Sequence, residues 1–182
     1  MGSSLGRAPD TIAGRDRRRG REGARRRGQA PIAPEETPRT LQRGRRLMLL
    51  LCLAIALHDV DGPIRCQTGE TIRLAGIGAT ELDGSTRPGQ PSVPGDPFAQ
   101  RRAMSVAIGG GVGSDDRRLE GSLRFARPVQ LSCEVTGRSY RRLVAWCSLP
   151  DGRDANCIAI GAGVAARWAR FDPQQRLVRC RR

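Results

Sequence analysis

From Ile64 onward the chain alternates short β-type runs with breaks rich in Gly, Pro and Asp, a pattern that admits a small sheet with helices packed on it and little else. Ile64–Cys66 and residues 71–77 flank Gln67-Thr68-Gly69-Glu70 as a hairpin. Residues 82–96 form a loop punctuated by Gly84, Pro88, Gly89, Pro91, Pro94 and Gly95. Asp96 then caps a helix with Pro97 at its first position, and the helix runs to about Ile108, where Gly109-Gly110-Gly111 stops it. Residues 109–121 read as a flexible linker. Residues 129–134 and Arg142–Ser148 are two further strands, joined across Thr136-Gly137-Arg138. Asp154 caps a second helix through about Ala169, weakened at Gly161 and Gly163 by about 1 kcal/mol each against Ala.

The order strand–strand–helix–strand–strand–helix gives an α+β domain: a small five-stranded OB-type β-barrel with two or three packed helices. Only 38% of the chain is hydrophobic and 3% aromatic, so a core spread over its full length would be thin. The charge is uneven as well. Residues 1–46 hold 13 Arg against 5 acidic residues, and the remainder holds 19 against 13. The arm has no apolar periodicity, which makes disorder its expected state. The remainder's own excess of +6 suits a polyanionic partner but does not require one. There is no Lys anywhere. A function that merely wanted positive charge would tolerate both bases, so the bias reads as a trace of coding composition.

Directly behind Arg43 to Arg46, residues 47–57 form an apolar run with an Ala-x-Ala ending, the pattern of a secretory signal peptide. The run is too short to span a bilayer comfortably. The same residues also fit a first sheet strand before Asp59, and export and strand cannot both use all of them. Export is the reading preferred here, with translation from Met48 or a later start as a variant of it. The chain then divides into the arm at 1–46, the export segment at 47–57 and a folded domain at 58–182, in a secreted or periplasmic protein. Six cysteines, Cys52, Cys66, Cys133, Cys147, Cys157 and Cys180, include no CxxC pair, and His58 is the single histidine. That scatter suits disulfides in an oxidising compartment better than zinc ligation. Removal of Cys52 with the leader would leave at least one of the other five free.

Four blocks in order carry a resemblance. Ile72-Arg73-Leu74-Ala75-Gly76-Ile77-Gly78-Ala79-Thr80-Glu81 resembles the thermonuclease (staphylococcal-nuclease-like, SNase) signature IRLAGIDAPE. Asp59-Val60-Asp61-Gly62 is similar to its DGDT, and Tyr140-Arg141-Arg142-Leu143-Val144-Ala145 to its YGRxxA. Asp154-Ala155-Asn156 with Gly163-Val164-Ala165 resembles the closing xVN…xGxA. The blocks cover residues 59–171, and RLxGIxxxE is the most specific of them.

The resemblance implies a nuclease in which a calcium ion and two arginines hold the scissile phosphate while a glutamate orients or deprotonates the attacking water. Carried over, Arg73 and Arg142 are the phosphate clamps, Glu81 is the water-activating carboxylate and Asp61 a metal ligand. The chemistry calls for these residue types. Guanidinium forks match the equatorial phosphate oxygens, a carboxylate takes the water's proton, and a divalent cation neutralises the remaining charge. The departures weigh against an intact metal site. Gly78 replaces an aspartate that ligates calcium in the family, Thr80 replaces the proline, and Arg141 replaces the glycine of YGR. Two alignments of the first block are open. In the preferred one Asp59 and Asp61 both match and Pro63 is an insertion; in the other Pro63 removes the ligand. Calcium, which takes six to eight oxygens, is expected to bind weakly, or another divalent cation to serve.

The expected activity is metal-assisted hydrolysis of DNA or RNA phosphodiester bonds by a monomer. The rivals are an OB-type module that binds nucleic acid or another partner without cleaving it, and a secreted interaction domain with no nucleic-acid contact. His58 is expected as a flank residue, and Trp146, Trp168 and Phe171 as packing residues.

Overall fold

The computed structural model describes residues 48–180. The expected disorder of the arm, Leu47, and the last two arginines all lie outside the described residues. The described chain is α+β, with a mixed six-stranded sheet, a two-stranded sheet and two α-helices. The elements are β1 (Met48–Leu57), β2 (Ile64–Cys66), β3 (Thr71–Leu74), β4 (Ile77–Gly78), α1 (Pro97–Ala107), β5 (Asp115–Asp116), β6 (Ser122–Ser139), β7 (Arg142–Ser148), α2 (Ala155–Gly161) and β8 (Ala166–Arg167). Short 3-10 turns follow β5 and β8.

The large sheet runs β1-β2-β3-β7-β6-β5, with β3–β7 its parallel pair. Strand β1 also pairs antiparallel with β6, so the pairing order through β1, β2, β3, β7 and β6 returns to its start. A register shift where Ala54 faces Val129 and Ala56 faces Arg124 bulges β6 and lets β1 serve both neighbours.

The apolar run preferred above as an export leader is a strand in this structure, and the sheet includes Met48–Leu57 ahead of residue 58. The reason is the period-two alternation of its side chains. Cys52, Ala54 and Ala56 point inward and are buried, while Leu49, Leu51 and Leu53 point outward and are exposed. With β1 in place the leftover thiol also disappears. Cys52–Cys66 ties β1 to β2, Cys133–Cys147 crosses directly opposed positions of β6 and β7, and Cys157–Cys180 ties α2 to the last described segment. No described cysteine is free. Three disulfides are a mark of an oxidising compartment. No helix among the described residues is long and apolar enough to cross a membrane.

Ile64, Ile72, Leu74, Leu131 and Ala145 from the strands, Met104 from the first helix with Ile108 at its C-cap, and Ala155, Ala159 and Ile160 from the second share one core. The capping reading holds at both helices. The Asp96 carboxylate accepts from the backbone N–H of Phe98 and Ala99, and that of Asp154 from Asn156 and Cys157. Helix α2, however, stops at Gly161 instead of near Ala169. Gly163 takes φ +69° and turns the chain into β8, which pairs with β4, so a sheet contact wins over helix continuation. The linker at 109–121 likewise contains β5 and a 3-10 turn, and β6 extends well beyond the expected 129–134 at both ends. The hairpin turn after β6 falls on Tyr140-Arg141, since Ser139 pairs with Arg142. Positive φ (+55°) sits on Tyr140, so Arg141 takes the place of the expected glycine without a left-handed backbone.

Candidate active site

The turn between β1 and β2 carries Asp59 and Asp61. Gly62 closes it at φ +114°, where a Cβ would stand 2.4 Å from the Ile72 carbonyl oxygen, so only glycine fits. The Asp61 carbonyl accepts from the Leu74 N–H at 2.9 Å, docking the turn on β3. Beside it Arg73, buried at 8% exposure, donates through Nη2 to Asp61 Oδ2 at 2.5 Å. Parallel pairing of Arg73 with Val144 brings Arg142, at the start of β7, to the same end of the sheet.

Asp61 feels the charges of the other three residues named from sequence, Arg73 most strongly. Burial raises the Asp61 pKa; the Arg73 guanidinium opposes it, as do the Asp59 side chain and the Arg142 charge, while the Glu81 charge adds to it. Asp59 is raised much further, to about 10, by burial first and then by the charges and hydrogen bonds of Asp61 and Glu81. At neutral pH Asp59 is thus the protonated member of the group, and Asp61, facing Arg73, the ionised one. Asp59 Oδ1, Arg73 Nη1 and Glu81 Oε1 are buried without a hydrogen-bond partner. The proton on Asp59 is shared toward Asp61 and Glu81, and Glu81 Oε1 also faces Arg87 Nε at 3.9 Å, so Arg73 Nη1 is the atom left wanting an acceptor and a polar ligand there would satisfy it. His58, next in chain, is half-buried with its pKa lowered by desolvation and then by Arg101 and Arg65.

Sequence reasoning missed the residues that build the surroundings. Arg101 of α1 is fully buried. It donates to the carbonyls of His58 (3.2 Å) and Gly121 (2.9 Å) and to Asp115 (2.7 Å), and so pins the helix against the residue preceding Asp59. Its one legible signal is position, since Phe98, Arg101, Met104 and Ile108 fall on a single helical stripe. Gln90 was also passed over as a loop residue. Its Nε2 donates to the Ala79 carbonyl at 2.6 Å, and Gln100 Nε2 holds the same loop through the carbonyls of Val93 and Pro94.

The fit to a directly ligated calcium is poor on three counts. Asp61 is engaged by Arg73. Gly78 offers no side-chain donor, and a Cβ there would meet the Pro91 carbonyl oxygen at 2.7 Å and Gln90 Cγ at 3.0 Å. The neighbouring Ala79 carbonyl is already used by Gln90. Among the described residues no group of three or more His, Cys, Asp or Glu is placed to hold a metal ion.

Trp146 is buried, with the Arg176 guanidinium 4.6 Å from its ring centroid. Trp168 and Phe171 meet edge to face at 4.6 Å, and Phe171 is half exposed. Comparison with protein-family models, with curated proteins and with solved structures returns no match for this chain.

Proposed function

We propose that the chain is a thermonuclease-like phosphodiesterase of an oxidising compartment, built on an OB-type barrel, with Arg73, Glu81 and Arg142 as its working residues. The observation that supports this most is the buried Arg73 Nη1, a guanidinium donor without an acceptor beside the Asp61 carboxylate, which also feels the charges of Glu81 and Arg142. The two arginines pair with the non-bridging oxygens of a nucleic-acid phosphate. A water against Glu81 gives a proton to the carboxylate as its oxygen bonds to phosphorus. The bond from phosphorus to the departing sugar oxygen breaks, and that oxygen takes a proton from solvent. Guanidinium contacts that strengthen as charge builds on the equatorial oxygens are the source of rate.

The second reading, binding without cleavage, is favoured by the filled space beside Gly78. Cleavage of DNA and RNA by the purified, oxidised chain, compared with Glu81→Ala and Arg142→Ala, separates the two. Hydrolysis lost by about a hundredfold or more in both variants supports the enzyme. Salt-sensitive binding with no hydrolysis in any of the three proteins leaves the binding module.

A further inference from the structure

Resting on that reading of the site, we infer that the turn Arg87-Pro88-Gly89-Gln90 supplies what a second metal ligand and its cation would supply, so that phosphate binding here is cation-independent and uses Arg87 as a third guanidinium. The four residues form one tight β-turn. The Gln90 N–H donates to the Arg87 carbonyl at 2.9 Å, Pro88 occupies the second position, and Gly89 takes φ +72° at the third, as a type II turn requires. The turn's two ends do different things. At one end Gln90, buried, puts its amide on the Ala79 carbonyl and its Cγ beside Gly78, with the Pro91 carbonyl behind it. The volume that a longer side chain at position 78 would need is thereby filled with protein. At the other end Arg87 stands with Nε 3.9 Å from Glu81 Oε1, its side chain 49% exposed against 25% for Glu81.

A guanidinium at that distance and exposure is only loosely committed to the glutamate and is free to turn to an incoming anion. It places positive charge next to the water-activating carboxylate, where a divalent cation would otherwise do so. Arg73 is buried against Asp61 and Arg142 is partly buried, which leaves Arg87 as the most exposed of the three arginines.

The test is binding of a fluorescein-labelled single-stranded DNA oligonucleotide by the full chain, followed by anisotropy across a salt series in EDTA and in calcium. Wild type is expected to bind equally in both. Arg87→Ala is expected to weaken binding about tenfold and to lower the salt slope by about one, with Arg87→Lys recovering part of the affinity. Arg153→Ala, which removes an exposed arginine paired with Asp151, is the control with unchanged binding. Binding by Arg87→Ala equal to wild type, or wild-type binding that collapses in EDTA and returns with calcium, overturns the inference. If Arg142→Ala weakens binding while Arg87→Ala does not, only this inference falls. If neither does, or if wild type does not bind, the phosphodiester reading falls with it. A second measurement needs no nucleic acid. Gly78→Asp is expected to acquire no calorimetric calcium binding, because Gln90 and Pro91 hold the space; tight calcium binding by that single variant would refute the plug.

Discussion

Arg101 shows how a single side chain can position a site it never touches. Its guanidinium satisfies two carbonyls and a carboxylate from three separate segments and lies 5.2 Å from the Phe98 ring centroid. Replacement by Met keeps much of the volume but strands the His58 and Gly121 carbonyls. Arg101→Met is therefore expected to lower stability by roughly 3 kcal/mol, seen as a lower denaturant midpoint at unchanged slope. Asp59 makes the opposite kind of prediction. Its pKa is raised on folding, to about 10, so its favourable contribution is full below the unfolded value near 4 and is lost as pH rises toward 10. Stability should thus decline across that window, and Asp59→Asn should flatten the decline and raise the thermal midpoint at pH 8 more than at pH 4. A midpoint difference independent of pH would show that the carboxyl is not buried as a proton-bearing group. Asp61, Arg73, Glu81 and Arg142 could be singled out because they sit inside ordered motif blocks. Arg101 and Gln90 were not, because an arginine on a helix and a glutamine in a loop acquire meaning only from the carbonyls the fold brings to them.

Among the elements, those set by local chemistry were readable and those set by partners were not. The start of α1 follows from Asp96 and Pro97, and β7 from an unbroken β-type run, and both stand where the residues put them. Helix α2 was read too long, because its end is decided by the pairing of β8 with β4, more than eighty residues away in sequence. Strand β6 was read too short, since its first third is held by β1 and β5 and its last third mainly by β7, and both carry little alternation of their own. The Cys52–Cys66 bridge gives this level its test. Its ends are 14 residues apart, and replacing both by Ala should cost about 3 kcal/mol, measured by chemical denaturation against the oxidised parent. No loss would mean that the β1–β2 ladder alone fixes the register.

For the whole molecule the decisive question is where the folded unit begins. A chain starting at Met48 should unfold cooperatively, whereas one starting at residue 58 loses the strand that joins β2 to β6 and should show no sharp transition by far-UV circular dichroism. A cooperative transition in the shorter chain would restore the leader reading of residues 47–57. Sequence left this open because an apolar strand with small residues at alternate positions and the core of a leader have the same hydropathy, and only the presence of a partner strand tells them apart. That ambiguity has a consequence in time. The end of β1 meets β2 within about a dozen residues, but residues 48–53 pair only with β6, where Ala54 faces Val129, so that half of β1 leaves the ribosome some 75 residues before its partner. At about 5–20 residues per second the interval is roughly 4–15 s. For those seconds Leu49, Leu51 and Leu53 have no sheet to belong to, and the nascent chain presents the cell with an apolar segment behind a basic flank, open to whatever machinery recognises one.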